Sequence, residues 1–256
     1  MPRPTIDRDE LVAFLDDLLD AHEGDDYAPN GLQVAGRPHI AKVVTGVSAC
    51  LELFERAEAA GADAVVVHHG IFWHGMPLPL TGVQHGRVAA LMRAELNLLA
   101  YHLPLDRHPD LGNNAVAARQ LGLLDVQPFG EAKGLPVGFS GRLPKPVPIE
   151  DLVRQTLKIF GQEPMVFGHG PEEISTLGIV SGGAQRELYR AVDEGLDAFL
   201  TGEVSEWVMN LAREAGIHYL AAGHYATERL GVRALGEHVA ERFGVEVQFI
   251  DVPNPV

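Results

Sequence analysis

One cysteine, Cys50, in 256 residues is too few for an intramolecular disulfide, and without a CxxC pair a thiolate zinc site of that type is excluded as well. There is no run of Lys and Arg, and 20 basic against 35 acidic residues give a formal net charge of −15, which repels a phosphate backbone. That argues against nucleic acid as a partner. No stretch reaches the roughly 18–20 apolar residues of a membrane helix, and the opening MPRPTIDRDELVAFLDDLLD lacks an apolar signal core. The chain therefore reads as mature and soluble, with no membrane association, in a reducing compartment taken to be the cytoplasm. Neither a Walker loop nor a dinucleotide glycine fingerprint occurs, which argues against a phosphate-loop nucleotide binder. What remains, 46% hydrophobic and 21% charged, is the composition of an ordinary globular protein with one large or two small domains.

Helical spacing of Leu11, Phe14, Leu15, Leu18 and Leu19 predicts an amphipathic first helix, with Asp7 as its N-cap. A strand-like IAKVVTGVSA (40–49), a helix from about Leu51 to Ala60 and the run Ala64–Val67 ending in His68-His69-Gly70 form a βαβ pattern. A helix over about 86–95, a strand LNLLAYH (96–102) and a helix after Gly112-Asn113-Asn114 continue the alternation of an α/β fold. The layout recurs. Residues 176–203 repeat residues 43–70 as strand, Val-Ser turn, helix, Gly-x-Asp-Ala and strand, at offsets of 133 and then 134, and IHYLAAGH (217–224) answers LNLLAYH. We read this as an internal duplication giving two similar layered α/β domains around a shared cleft, residues 1–125 with 225–256 and residues 126–224. The Gly- and Pro-rich segment 134–151 reads as an irregular crossover.

Three features carry chemistry, each with a plainer reading beside it. His68-His69 follows a strand at its carboxyl end, where open α/β sheets place ligands, although a histidine pair alone is as readily a hydrogen-bonded surface feature. Side chains alternate along a strand, so both histidines serve one site only where the strand ends, and Gly70 allows that turn. In Tyr101-His102-Leu103-Pro104-Leu105-Asp106, Pro104 predicts an extended or turning segment. Asp106 could ligate a metal or cap the turn, and His102 could be a ligand, an acid/base or an orienting donor. His224 and Glu228, spaced i and i+4 at the start of what reads as one helix to about Arg242, share a face, either as metal ligands or as a surface pair. Ser181-Gly182-Gly183 could offer backbone N–H groups to an anion or be a plain turn, and Cys50 reads as a small buried residue. Together the donors are nitrogen and oxygen without sulfur, suiting Zn, Fe, Mn, Ni or Co. Two such ions about 3.5–4 Å apart would activate a water for hydrolysis.

YAPNGLQVAG (27–36), VVVHHGIFWHG (65–75), AYHLPLDRHPDLGNN (100–114) and AGHYATERLGVRAL (222–235) together resemble the NIF-three-like family, the homologues of type 2 GTP cyclohydrolase, in its short bacterial form. The resemblance spans nearly the whole chain. It implies two similar α/β domains with a pair of divalent metal ions between them, on His68, His69, Asp106, His224 and Glu228, with Glu228 bridging and His102 nearby as an acid/base group. Leu103-Pro104 stands where many members have Thr-Asn, a wording the short forms share, so the Asp106 assignment holds. It also implies a homohexameric ring, a trimer of dimers, and a small phosphorylated or nucleotide-like substrate. A metal-holding hexameric scaffold for protein partners is the alternative.

Overall fold

The computed structural model describes residues 4–256. The chain forms two compact units, Met1–Leu105 with Val232–Val252 and Asp106–Gly231 with Pro253–Val256.

In the first unit β1 (Ile6–Asp7) leads into α1 (Arg8–Leu18), where the Asp7 side chain accepts the Asp9 N–H as the expected N-cap and Leu11 and Leu15 are fully buried. After β2 (Gly31–Val34) and β3 (His39–Ile40) come β4 (Lys42–Ser48), α2 (Leu51–Ala59), β5 (Ala64–His69), α3 (Gly82–Ala94), β6 (Asn97–Ala100) and α4 (Leu103–Arg107). Strands β4, β5 and β6 are parallel, and β2 runs antiparallel beside β6. Their near-continuous Val, Leu and Ala runs reflect burial on both faces, and Leu53, Phe54 and Leu91 from the helices pack on Val44, Val65 and Leu98. Gly46 lets α2 sit close, since a Cβ there would meet Leu53 Cδ2 at 2.7 Å.

The second unit opens with α5 (Asn113–Gln120), followed by β7 (Leu124–Ala132), β8 (Leu135–Val147), α6 (Ile149–Phe160), β9 (Met165–Gly168), β10 (Ile174–Ile179), α7 (Leu188–Asp193), β11 (Ala198–Thr201), α8 (Val208–Ala215), β12 (His218–Ala221) and α9 (His224–Thr227). Here too three parallel strands, β10, β11 and β12, carry an antiparallel strand, β9, beyond the last of them. Finally α10 (Arg229–Phe243) carries the chain back to the first unit, where β13 (Glu246–Phe249) pairs parallel with β4.

The expected crossover is corrected: residues 135–147 form a strand that pairs with both β7 and β10. Lys133 and Gly134 both adopt positive φ, the signature of a two-residue hairpin turn, and this closes β7 onto β8. Pro144 and Pro146 fall where the β8 to β10 register slips from Val147 to Arg142, so their missing N–H groups interrupt no regular ladder. A second correction concerns 102–106. Pro104 is the second residue of α4, in the first turn, where a helix does not use that N–H.

The repeated Gly-x-Asp-Ala has a shared structural use. Asp63 Oδ2 accepts the N–H groups of Ala41 (2.9 Å) and Lys42 (3.1 Å), at the start of β4, and Asp197 Oδ2 accepts those of Ser175 (2.8 Å) and Thr176 (2.9 Å), at the start of β10. Each carboxylate holds the neighbouring parallel strand in register. Asp63→Ala and Asp197→Ala are each expected to lower stability by about 1–3 kcal/mol in urea titration, since each strips two strand N–H groups of their acceptor.

Candidate metal centre

Three histidines gather in the first unit. His68 and His69 lie on β5 itself, which runs through His69 rather than stopping before the pair, and His102 directly precedes α4. Ring centroids are 4.7 Å apart for His68 and His69, 5.1 Å for His68 and His102, and 5.6 Å for His69 and His102. One donor nitrogen from each lies within 4.8 Å of the others. The pair therefore converges on one cluster instead of diverging to two faces.

What makes the cluster suited to a cation is the occupation of each Nδ1. His68, fully buried, has Nδ1 3.0 Å from the Tyr101 carbonyl, which can only accept, so a neutral ring carries its lone pair on Nε2. His69 Nδ1 is 3.0 Å from Ser48 Oγ, its neighbour across the β4 to β5 pair. His102 Nδ1 donates to Asp26 Oδ1 at 2.6 Å, and its backbone N–H donates to Asn30 Oδ1 at 2.8 Å. Asp26 also accepts from Asn30 Nδ2 and from the N–H groups of Tyr27 and Leu103. Burial pushes the Asp26 carboxyl up, but the hydrogen bonds and charge of His102, then Asn30 and Tyr27, outweigh it and hold the group down at about 2. The Trp73 ring lies edge-on to His102 at 5.2 Å and tilted over His69 at 5.8 Å.

In the second unit Asp106, His224 and Glu228 surround the turn after β10. Buried Asp106 accepts from Asn113 Nδ2 (2.8 Å) and Ser181 Oγ (3.1 Å) through Oδ1. His224 Nε2 is 3.1 Å from Glu228 Oε1, and its Nδ1 is 2.6 Å from Glu203 Oε1. Gly182 has φ +67°, and a Cβ there would meet Glu228 Oε1 at 2.2 Å, so only glycine leaves the carboxylate its place. Burial lowers the His224 imidazolium, yet Glu228 and then Glu203 overcome it and raise the group to about 9. The expected single helix is broken: α9 ends at Thr227 and Glu228 sits between it and α10, still one turn from His224.

Several other expectations change. The Ser181 and Gly182 N–H groups donate to Asn114 Oδ1 and Thr227 Oγ1, so this turn is committed internally and is no anion cradle. Cys50 is half-buried rather than buried, at the start of α2. Asp26, Asn30, Ser48, Asn113 and Glu203 escaped the sequence reading. For Glu203 a signal existed, because the repeat offset of 134 sets it level with His69.

A sequence model of Duf34/NIF3 (NGG1p interacting factor 3) matches residues 6–255. The chain belongs to the Duf34/NIF3 family. Relatives named GTP cyclohydrolase 1 type 2 homolog from Pseudomonas aeruginosa and Escherichia coli K12 are each 44% identical to it, over 96% of this chain and 97% and 98% of theirs. A solved structure titled protein ybgI, unknown function, superposes with a TM-score of 0.93 at 43% identity, covering 98% of this chain and 100% of that one. TTHA1606 from Thermus thermophilus does so with a TM-score of 0.89 at 38% identity and the same coverage. This Duf34/NIF3 chain thus matches its relatives over most of its length, and buried His, Asp and Glu groups able to hold a metal ion lie on motifs that carried the resemblance.

The two shifted groups set opposite limits on the stability of the metal-free protein. Asp26 is depressed from 3.8 to about 2, so its contribution, about 2 kcal/mol, is present above pH 4 and is lost as pH falls through 2. His224 is raised from 6.5 to about 9, so its contribution is complete below pH 6.5 and is lost as pH rises through 9. Thermal unfolding of chelator-treated protein is expected to show the alkaline loss in wild type and a clearly smaller one in His224→Gln.

Proposed function

We propose that this chain holds two divalent metal ions on His68, His69, Asp106, His224 and Glu228 and uses them to hydrolyse a small phosphorylated or nucleotide-like substrate. The observation that carries the reading is the histidine cluster of the first unit, three imidazoles with donor atoms within 4.8 Å and their Nδ1 atoms at hydrogen-bonding distance from an oxygen. The second unit supports it with Asp106 and Glu228, two buried carboxylates oriented around one turn, and with His224. A donor set of imidazole and carboxylate fits Zn, Fe, Mn, Ni or Co. When bound, such ions supply Lewis acidity, polarising a phosphoryl or carbonyl oxygen and making water a nucleophile at neutral pH.

The chain's own part is proton handling and orientation. Asp26 keeps a proton on His102 Nδ1, which leaves Nε2 as the atom that takes or gives a proton. The grip of Asn30 on the His102 backbone fixes where that atom points. The name shared by the relatives, GTP cyclohydrolase 1 type 2 homolog, supports ring opening of GTP as one version of the reaction. With this reading go a cytoplasmic setting, consistent with a lone cysteine, and a homohexameric ring. Among the described residues no helix is long and apolar enough to cross a membrane.

Metal content of protein purified without chelator is expected to approach two ions per chain and to fall in His68→Ala and Glu228→Ala. Turnover in a screen of phosphoesters and cyclic amidines with Mn, Zn or Fe is expected to fall to background in both variants. Trace activity indifferent to both substitutions would mark a contaminant and overturn the hydrolase reading, and full metal loading without turnover would leave the metal-holding scaffold in its place.

A further inference from the structure

Behind His102 stands Asp26, and behind His224, in the other unit, stands Glu203, each carboxylate 2.6 Å from the Nδ1 of its histidine. Glu203, like Asp26, lies outside the four motifs that carried the resemblance. It follows β11 directly after Gly202, and its main chain is pinned. The Gly202 N–H donates to the Gly182 carbonyl (2.9 Å), the Gly223 N–H donates to the Gly202 carbonyl (3.0 Å), and the Tyr219 hydroxyl donates to the Glu203 carbonyl (2.5 Å). No side chain could replace Gly202, because a Cβ there would lie 2.6 Å from His224 Cα and 2.7 Å from the Gly182 oxygen. The backbone carrying Glu203 is thus packed against the residue its carboxylate holds. A flexible surface glutamate has no such support.

We infer that Glu203 is a positioning residue that fixes His224 with its proton on Nδ1 and so presents Nε2, on the Glu228 side, to a metal ion. Glu228 and Glu203 face the imidazole at opposite nitrogens, and their roles divide by geometry. Glu228 Oε1, at 3.1 Å from Nε2, lies where a cation held by both residues would be shared, while Glu203 Oε1, at 2.6 Å from Nδ1, sits behind the ring. Without Glu203 the ring would be free to exchange tautomers and to rotate, and the Nε2 lone pair would be misdirected for part of the time.

The inference rests on His224 being a metal ligand, so the test separates the two claims. Zn²⁺ affinity is measured by competition with a chromophoric chelator for wild type, His224→Ala, Glu203→Ala and Glu203→Gln. Glutamine keeps a carbonyl oxygen to accept the Nδ1–H and loses only the charge. Expected are loss of binding in His224→Ala, a weakening of about 10–100-fold in Glu203→Ala, and recovery of most of it in Glu203→Gln. In the Zn²⁺-loaded wild type, ¹⁵N spectra of the imidazoles are expected to show His224 protonated on Nδ1. If His224→Ala binds as wild type does, the ligand assignment fails. If His224→Ala loses binding while Glu203→Ala keeps wild-type affinity, the ligand assignment stands and the positioning role is overturned. A Glu203→Gln variant as weak as Glu203→Ala also overturns it, because charge or direct ligation would then be the contribution.

Discussion

An imidazole has two nitrogens, and a metal or a transferred proton can use only one of them well. The candidate centre depends on how the other is occupied. Tyr101 supplies a carbonyl to His68, Ser48 a hydroxyl to His69, Asp26 a carboxylate to His102 and Glu203 a carboxylate to His224. The first is a backbone group that can only accept, and Asp26, held at about 2, is ionised at any pH the protein meets in a cell. Where the partner is an obligate acceptor, the fold decides which nitrogen of a neutral ring carries the proton. Burying such polar groups is costly when they are left unpaired, and the network repays the cost by pairing them.

The sheets explain why these partners are at hand. In each unit the chemistry lies at the carboxyl ends of parallel strands: His68 and His69 on β5 and His102 after β6 in one, Ser181 after β10, Glu203 after β11 and His224 after β12 in the other. At the opposite ends Asp63 and Asp197 accept pairs of strand N–H groups, so the registers of β4 with β5 and of β10 with β11 are held where nothing reactive happens. Stability and chemistry are placed at opposite ends of the strands. This arrangement lets loops at the reactive end carry buried carboxylates without disturbing the ladder.

The parts of this architecture that follow hydrophobic period were legible in the sequence, as were donors adjacent or one helical turn apart. Runs such as Ala64–Val67 announce buried strands, and the His68-His69 doublet and the His224, Glu228 spacing stand out locally. Residues whose meaning depends on distant partners were not legible. Asp26 becomes the anchor of His102 only across 76 positions, and Asn113 becomes a support for Asp106 only once α5 is packed. Composition misled in two places for physical reasons. Prolines in 134–147 signalled irregular chain, but Pro144 and Pro146 fall where the β8 to β10 register slips, and Pro104 signalled extended chain although the first turn of a helix tolerates it. The break at Glu228 left no mark in the helical pattern because His224 and Glu228 remain one turn apart on either side of it.

The charge balance of the second unit joins these observations. Around the turn after β10 stand the carboxylates of Asp106, Glu203 and Glu228, the last within reach of a single imidazole shared with Glu203. Without a metal that imidazole is held protonated up to about pH 9, which supplies one positive charge between two acidic side chains. On the proposed function, a cation held at Nε2 would take the place of that proton. The proton offsets the repulsion between those two carboxylates. On the proposed function His224 would thus serve twice, as a ligand when an ion is bound and, protonated, as the positive charge between Glu203 and Glu228.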